Sequence, residues 1–313
     1  METLITPAFC GEKQRPLVKR NFIVFINPIS GTKNKVAIRP MIEKKLTEQN
    51  FLFQVLPTEQ SGNYDFLAGK ITQEKITDII ICGGDGTVNR ICAALHSTSV
   101  NAGIIPMGSG NGLAFAAGIP KNADKALDVI IAGKAKYIDA FLINGTFSCM
   151  LCGLGFDAQV AHDFAKQASR GLPTYVRQTL KSFFVAKPYP FLIKTDRSEF
   201  GADAFFISIA NSNQFGNNFT IAPRASLSDG LLDIVIAGKA SRLNFLVNVL
   251  RQVRKGKITQ EGIMKKGMQY FHTKNIRIHN PDKAPLHIDG DPAATAEYFQ
   301  IEIIEKAFRL LQP

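Results

Sequence analysis

Cysteine is scarce: the 313 residues contain five, an odd number spread along the chain. That excludes the disulfide framework of a small secreted domain. Cys149 and Cys152 form a lone CxxC with neither a second pair nor histidines at ligand spacing, so they read as buried strand cysteines. Long apolar runs are missing too. The longest, such as Ala204 to Ala210, fall far short of the ~20 residues that cross a bilayer. Met1 to Cys10 lacks a cationic start, an apolar stretch and a small-residue cleavage site, so the expectation is a cytoplasmic protein without a secretory signal. No low-complexity tract or internal repeat interrupts the chain.

What remains is an ordinary globular composition, 45% hydrophobic and 20% charged, over a length that suits two domains. The formal charge of +11 attracts anionic partners, whether nucleic acid, acidic lipid headgroups or polyphosphate. Charge alone does not choose among them.

The first half alternates strand-like and helix-like segments, the pattern of a mainly parallel sheet covered by helices. Asn21 to Ile26 is β-rich and ends at Asn27 and Pro28. A helical stretch follows over about Val36 to Gln49, then a strand at Phe51 to Leu56. Asp78 to Cys82 reads as a buried strand. Beyond it Val88, Ile91, Cys92 and Leu95 recur at helical spacing. Ala102 to Pro106 repeats the strand, and its following helix stops near Gly118 and Pro120. From about Tyr137 short β-rich runs predominate, including Phe205 to Ala210, Leu232 to Ile236, Asn275 to His279 and Tyr298 to Ile304. Helical stretches interrupt them near Ala158 to Ser169 and Arg242 to Lys255. The expected fold is therefore α/β plus β, with an α/β nucleotide-binding domain over 1–136 and a mainly antiparallel, β-sandwich-like domain over 137–304. A terminal segment, 305–313, is free to return to the first domain.

Three strand ends in the first half carry loops rich in Gly, Asn and Ser: Asn27-Pro28-Ile29-Ser30-Gly31, Gly83-Gly84-Asp85-Gly86-Thr87 and Gly108-Ser109-Gly110-Asn111-Gly112. In a parallel sheet such ends converge on one crevice. Glycine lets the backbone approach a ligand, and a helix starting directly afterwards aims N–H groups at it, which suits a phosphate chain. Thr87 and Ser109 add hydroxyls, and Thr87 is placed to cap its helix. Asp85 would repel phosphate unless a cation or a hydrogen-bond network intervenes, and nucleotide-bound Mg²⁺ would serve. A plain turn with Asp as local acceptor is the bland alternative.

These three segments, in this order and spacing, resemble the nucleotide-binding motifs of the diacylglycerol kinase catalytic domain, shared with sphingosine and ceramide kinases and bacterial lipid kinases. The likeness continues through Gly153-Leu154-Gly155-Phe156-Asp157, Ala222-Pro223, Asp229-Gly230-Leu231-Leu232-Asp233 and Asp289-Gly290-Asp291. It implies an ATP-dependent, Mg²⁺-using kinase acting on a diacylglycerol or sphingoid-type lipid. Asp289 would be the general base on the lipid hydroxyl, and Asp85 would organise nucleotide and metal. Asp291 would join the nucleotide contacts, Asp157 would face the lipid headgroup, and Asp229 with Asp233 would border a structural Mg²⁺. From the residues alone, Asp289-Gly290 and Asp229-Gly230 equally describe tight turns. Three departures stand out. Gly112 replaces the usual acidic residue of diacylglycerol kinases, Asp291 stands where bacterial relatives often carry Glu, and Gly216-Asn217-Asn218 replaces a more glycine-rich stretch.

A lipid kinase must meet a bilayer, and Leu243 to Val253 is apolar on a broad face flanked by Arg242, Arg251, Arg254, Lys255 and Lys257. Such a segment suits peripheral contact with an anionic membrane at its cytoplasmic face, or packing on its own domain. An oligomer is compatible with everything above. Three rival readings compete with this one. Gly153 to Ala158 formally matches GxGxxA, yet no acidic residue lies between Phe164 and Thr195 where a dinucleotide ribose would need one. A kinase that phosphorylates NAD shares a GGDG-type loop. A basic nucleic-acid-binding module would interleave exposed aromatics with basic clusters, whereas the Phe-rich runs here lie in strand patterns.

Overall fold

The computed structural model describes residues 19–30, 37–165, 187–214, 220–238 and 268–313. Gly31, the Gly216-Asn217-Asn218 stretch and the basic Leu243–Val253 segment lie outside the described residues.

In the first half, β1 (Asn21–Ile26), β2 (Leu52–Pro57), β3 (Asp78–Gly83) and β4 (Asn101–Pro106) pair in parallel in the order β2-β1-β3-β4. The runs FIVF and DIIICG are buried throughout, as expected of strands covered on both faces. The covering helices are α1 (Ile38–Glu48), α2 (Phe66–Glu74), α3 (Asp85–Leu95), α4 (Gly112–Ala116) and α5 (Ala123–Ala132). Local chemistry sets their ends. Asn122 caps α5 by accepting from the Lys125 amide at 3.0 Å, and Gly133 stops it at φ 72°.

The second half comprises β5 (Ala135–Ile143), β6 (Thr146–Ser148), β7 (Leu151–Gly155), α6 (Phe156–Ala165), β8 (Tyr189–Thr195), β9 (Glu199–Ala210), β10 (Leu232–Gly238), β11 (Met268–Thr273), β12 (Asn275–His279), β13 (Leu286–Ile288), β14 (Asp291–Ala293) and β15 (Tyr298–Leu311). The described pairings among these strands are antiparallel. The fold is thus an α/β domain with parallel strands followed by an antiparallel, β-sandwich-like domain.

Two strands join the halves. Ile138 and Ala140 of β5 pack in the first core, whereas Phe141 and Ile143 pack in the second. β15 runs antiparallel to β12 and β5, then pairs in parallel with β4 through Arg309 and Leu310. Its register breaks between Ile304 and Phe308, where Lys306 adopts φ 53° and its amide donates to buried Asp139 at 2.7 Å. Positions 136/137, where the sequence changes texture, and 304/305, where the terminal segment begins, therefore fall inside strands shared by both halves.

Candidate active site

Each parallel strand ends on the same side, so the three loops meet. Asn27 fastens the first to the second: its amide donates to Cys82 O at 2.9 Å and its Nδ2 donates to Thr87 Oγ1 at 2.7 Å. Its Oδ1 accepts from the Ile29 amide at 3.0 Å, shaping the turn towards half-buried Ser30. α3 starts at Asp85, with extended Gly84 as its cap residue and no side-chain cap bond. This corrects the expectation for Thr87. It sits within the first turn, and its hydroxyl serves Asn27 instead of capping the helix.

The second and third loops touch backbone to backbone. A Cβ on Gly108 would lie 2.6 Å from Gly84 Cα, and one on Gly84 would lie 3.1 Å from Gly108 Cα. The Met107 amide donates to Gly83 O at 2.8 Å, and Asn111, at φ 58°, closes the third loop on itself. Its Oδ1 accepts from the Gly108 amide at 2.7 Å and its Nδ2 donates to Gly108 O at 2.8 Å. Ser109 is exposed and Gly110 half-buried.

The hydrogen-bond network required around Asp85 is present. Its Oδ2 accepts from the Asn111 amide and its Oδ1 from the Gly112 amide, both at 2.7 Å. One helix's first residue thus satisfies amides at the start of the next, α4, which would otherwise lack partners. Burial pushes the Asp85 carboxyl up to about 6, against the two amides, and the negative charges of Asp289 and Asp291 add to the rise.

Those two aspartates come from the β13–β14 hairpin of the second half. Ile288 pairs with Asp291, leaving Asp289-Gly290 as a two-residue turn at φ 50° and 85°. Positive φ at both positions is what a type I′ hairpin demands, and Asp-Gly supplies it. The structure thus makes Asp289-Gly290 the tight turn that its residue types describe. Asp289 is buried, and its Oδ1 accepts from Ser148 Oγ at 2.7 Å, the Leu151 amide at 3.0 Å and the Met150 amide at 3.2 Å. Its Oδ2 receives only a long 3.4 Å contact from the Cys149 amide. Burial raises this carboxyl above the ordinary range even though those donors favour its anion. Asp291 is exposed, and a Cβ on Gly86 would lie 3.0 Å from its Oδ2.

Other expected residues point elsewhere. Asp157, in the first turn of α6, is buried: Oδ1 accepts from the Ala158 amide at 2.8 Å, and Oδ2 lies 3.4 Å from Nε2 of buried His287. Exposed Asp229 accepts from the Leu231 amide of its own turn at 3.1 Å. Fully buried Asp233 is hydrogen-bonded by the Tyr270 hydroxyl and lies 3.0 Å from His272 Nε2. Among the described residues no group of three or more His, Cys, Asp or Glu side chains is arranged to hold a metal ion. The described cysteines, Cys149 and Cys152 among them, are free and buried, and burial raises their thiols. Ser148 and His287 were not foreseen. Each lies near a named motif, but only the side-chain contacts of the folded chain show which carboxylate it meets.

Residues 21–143 match the diacylglycerol kinase catalytic domain, and residues 151–312 match the YegS C-terminal NAD kinase beta sandwich-like domain. A "Probable lipid kinase YegS-like" from Citrobacter koseri is 30% identical over 276 residues, covering 86% of this chain and 89% of that protein. One from Shewanella frigidimarina is 27% identical over 275 residues, covering 86% and 87%. A solved Bacillus anthracis diacylglycerol kinase shares the fold, with a TM-score of 0.72 and 19% identity over 94% of this chain and 97% of its own. Yeast NADH kinase is more distant, with a TM-score of 0.50 and 11% identity over 92% and 79%.

Proposed function

The chain belongs to the family of YegS-like lipid kinases that carry a diacylglycerol kinase catalytic domain, and on that footing we propose that it moves the γ-phosphate of ATP onto a hydroxyl of a membrane lipid. The observation that carries this reading is the approach of the Asp289–Asp291 hairpin to the start of α3, where Asp291 stands against Gly86 and both aspartates act on Asp85. A nucleotide-cradling half and an acidic turn from the other half thereby face one space. Phosphoryl transfer needs mainly such positioning and charge neutralisation.

In this reading the Asn27–Ser30, Gly83–Thr87 and Gly108–Asn111 loops hold the polyphosphate through backbone amides and hydroxyls. Asp289 takes the proton of the attacking hydroxyl through Oδ2, the oxygen less engaged by the protein. The residues fit a nucleotide-borne Mg²⁺ better than a resident ion. Such an ion keeps several waters and uses one or two carboxylates plus phosphate oxygens, so no three-ligand cage is needed. The mutual repulsion at Asp85, Asp289 and Asp291 is the excess negative charge it would offset, with Asp85 and exposed Asp291 as its protein contacts. When bound, the ion neutralises charge developing on the transferred phosphate.

The acceptor is read as a diacylglycerol or sphingoid-type lipid, met peripherally at an anionic membrane surface to which the +11 charge is suited. Among the described residues no helix is long and apolar enough to cross a membrane. A NAD acceptor is the second reading, favoured by the GGDG-type loop, the shared fold of yeast NADH kinase and the type of the second domain. The test is incubation with γ-labelled ATP, Mg²⁺ and a panel of diacylglycerol, sphingoid bases, ceramide, phosphatidylglycerol and NAD. Label in a lipid supports the proposal. Label in NAD alone, or in no acceptor, overturns it.

A further inference from the structure

Asp157 and His287 make a buried polar contact that the site described above leaves without a task. Their side chains are 5% and 0% exposed. Burying such a pair carries a desolvation penalty that apolar packing would avoid, so its place in the fold needs a reason. The pair is also built into the backbone. His287 of β13 lies opposite Gly153 of β7, and a Cβ on Gly153 would stand 2.0 Å from Asp157 Oδ2 and 2.5 Å from His287 Nε2. A glycine at the centre of a buried strand thus leaves room for the carboxylate from α6 to reach the imidazole from β13.

The strand so gripped leads directly into Asp289. β13 ends at Ile288, and Asp289 follows in a left-handed conformation that a non-glycine residue adopts only when its surroundings hold it. Its amide donates to Leu151 O at 2.8 Å, one strand residue from Cys152, the partner of Ile288. α6 holds the same strand a second time through His162, whose Nε2 lies 2.8 Å from Leu286 O. The helix, Gly153 and β13 therefore form one frame that leads directly into the acidic turn.

We propose that Asp157 and His287 are positioning residues: together they fix β13 and so set where the Asp289 carboxylate stands, and Asp157 does not itself contact the lipid headgroup. This rests on the reading of Asp289 as the base. A direct headgroup contact would change lipid affinity, whereas a positioning pair changes the rate with substrate bound.

The experiment compares wild type, Asp157→Asn, His287→Gln and the double variant, measuring kcat and KM on whichever acceptor of the panel wild type phosphorylates, together with hydrogen exchange across residues 286–291. Expected are a fall of tenfold or more in kcat for each single variant, no further fall in the double, a lipid KM within twofold of wild type, and faster exchange over 286–291. A raised lipid KM with kcat preserved overturns the proposal, as do losses that multiply in the double variant or exchange and kcat that stay unchanged. Should His287→Gln not fold, Asp157→Asn carries the same expectations. If wild type phosphorylates no acceptor, the kinase reading fails, while the exchange measurement still decides whether the pair fixes the turn.

Discussion

Gly84 and Gly108 touch through their backbones: a Cβ on Gly108 would come within 2.6 Å of Gly84 Cα. The two loops proposed to embrace the polyphosphate are thus held in one arrangement by the absence of side chains. Gly108→Ala must push them apart, because a backbone atom cannot rotate away as a side chain can. The expected outcome is at least a tenfold loss of ATP affinity by calorimetry, with destabilisation of about 1–3 kcal/mol in urea unfolding. Unchanged affinity would remove these loops from the nucleotide site.

Asp289→Asn should leave the hairpin in place, since Asn also tolerates positive φ and its Oδ1 still accepts from Ser148 and the backbone. It cannot take a proton. The expected loss in kcat is about 10²–10⁴-fold with ATP affinity retained. A variant that keeps its rate excludes Asp289 as the base.

Ser148→Ala removes a 2.7 Å hydrogen bond from a buried carboxylate. That bond favours the anion, so without it the Asp289 carboxyl rises further and the ascending limb of the pH–kcat profile moves to higher pH. The accompanying destabilisation at neutral pH is about 1–3 kcal/mol. Rate measurements between pH 5 and 9, a range of about 4 units chosen to span such a limb, provide the check. A limb that stays in place would show that Ser148 does not set the proton affinity of the base.

Asp85 yields a prediction about stability against pH. Its carboxyl rises from 3.8 to about 6, so the folded protein binds this proton more tightly than the unfolded chain. Stability from this group is therefore fully present below pH ~4 and lost as pH rises to ~6, by up to about 3 kcal/mol. Asp85→Asn cannot titrate, so wild type should lose stability relative to the variant across that interval. Urea unfolding of both proteins between those limits measures it, and parallel curves would contradict the proposed burial effect.

Much of the α/β half was legible because its strands are uninterrupted apolar runs closed by Gly, Asn and Pro. Asn21–Ile26 emerges with the expected bounds, and α3 carries the expected buried stripe of Val88, Ile91, Cys92 and Leu95. Helices α2 and α5 did not stand out. β15 reads as a strand ending near Ile304, yet it continues to Leu311, because the bulge around Lys306 is secured by Asp139, a residue far away in sequence. The expected helix from Ala158 begins at Phe156, and Asp157 in its first turn faces His287.

Residue types and their order set the chemistry available: three glycine-rich strand ends, an Asp-Gly turn and a kinase-like order of motifs, since turn conformation and backbone access are local properties of residue type. How the carboxylates are used follows from the packing of distant segments. Asp85 accepts the amides of Asn111 and Gly112, Asp289 accepts from Ser148, and Asp157 turns inward to His287. A carboxylate's partners and proton affinity depend on which distant donors and charges the fold brings within a few ångströms, and that is a property of packing.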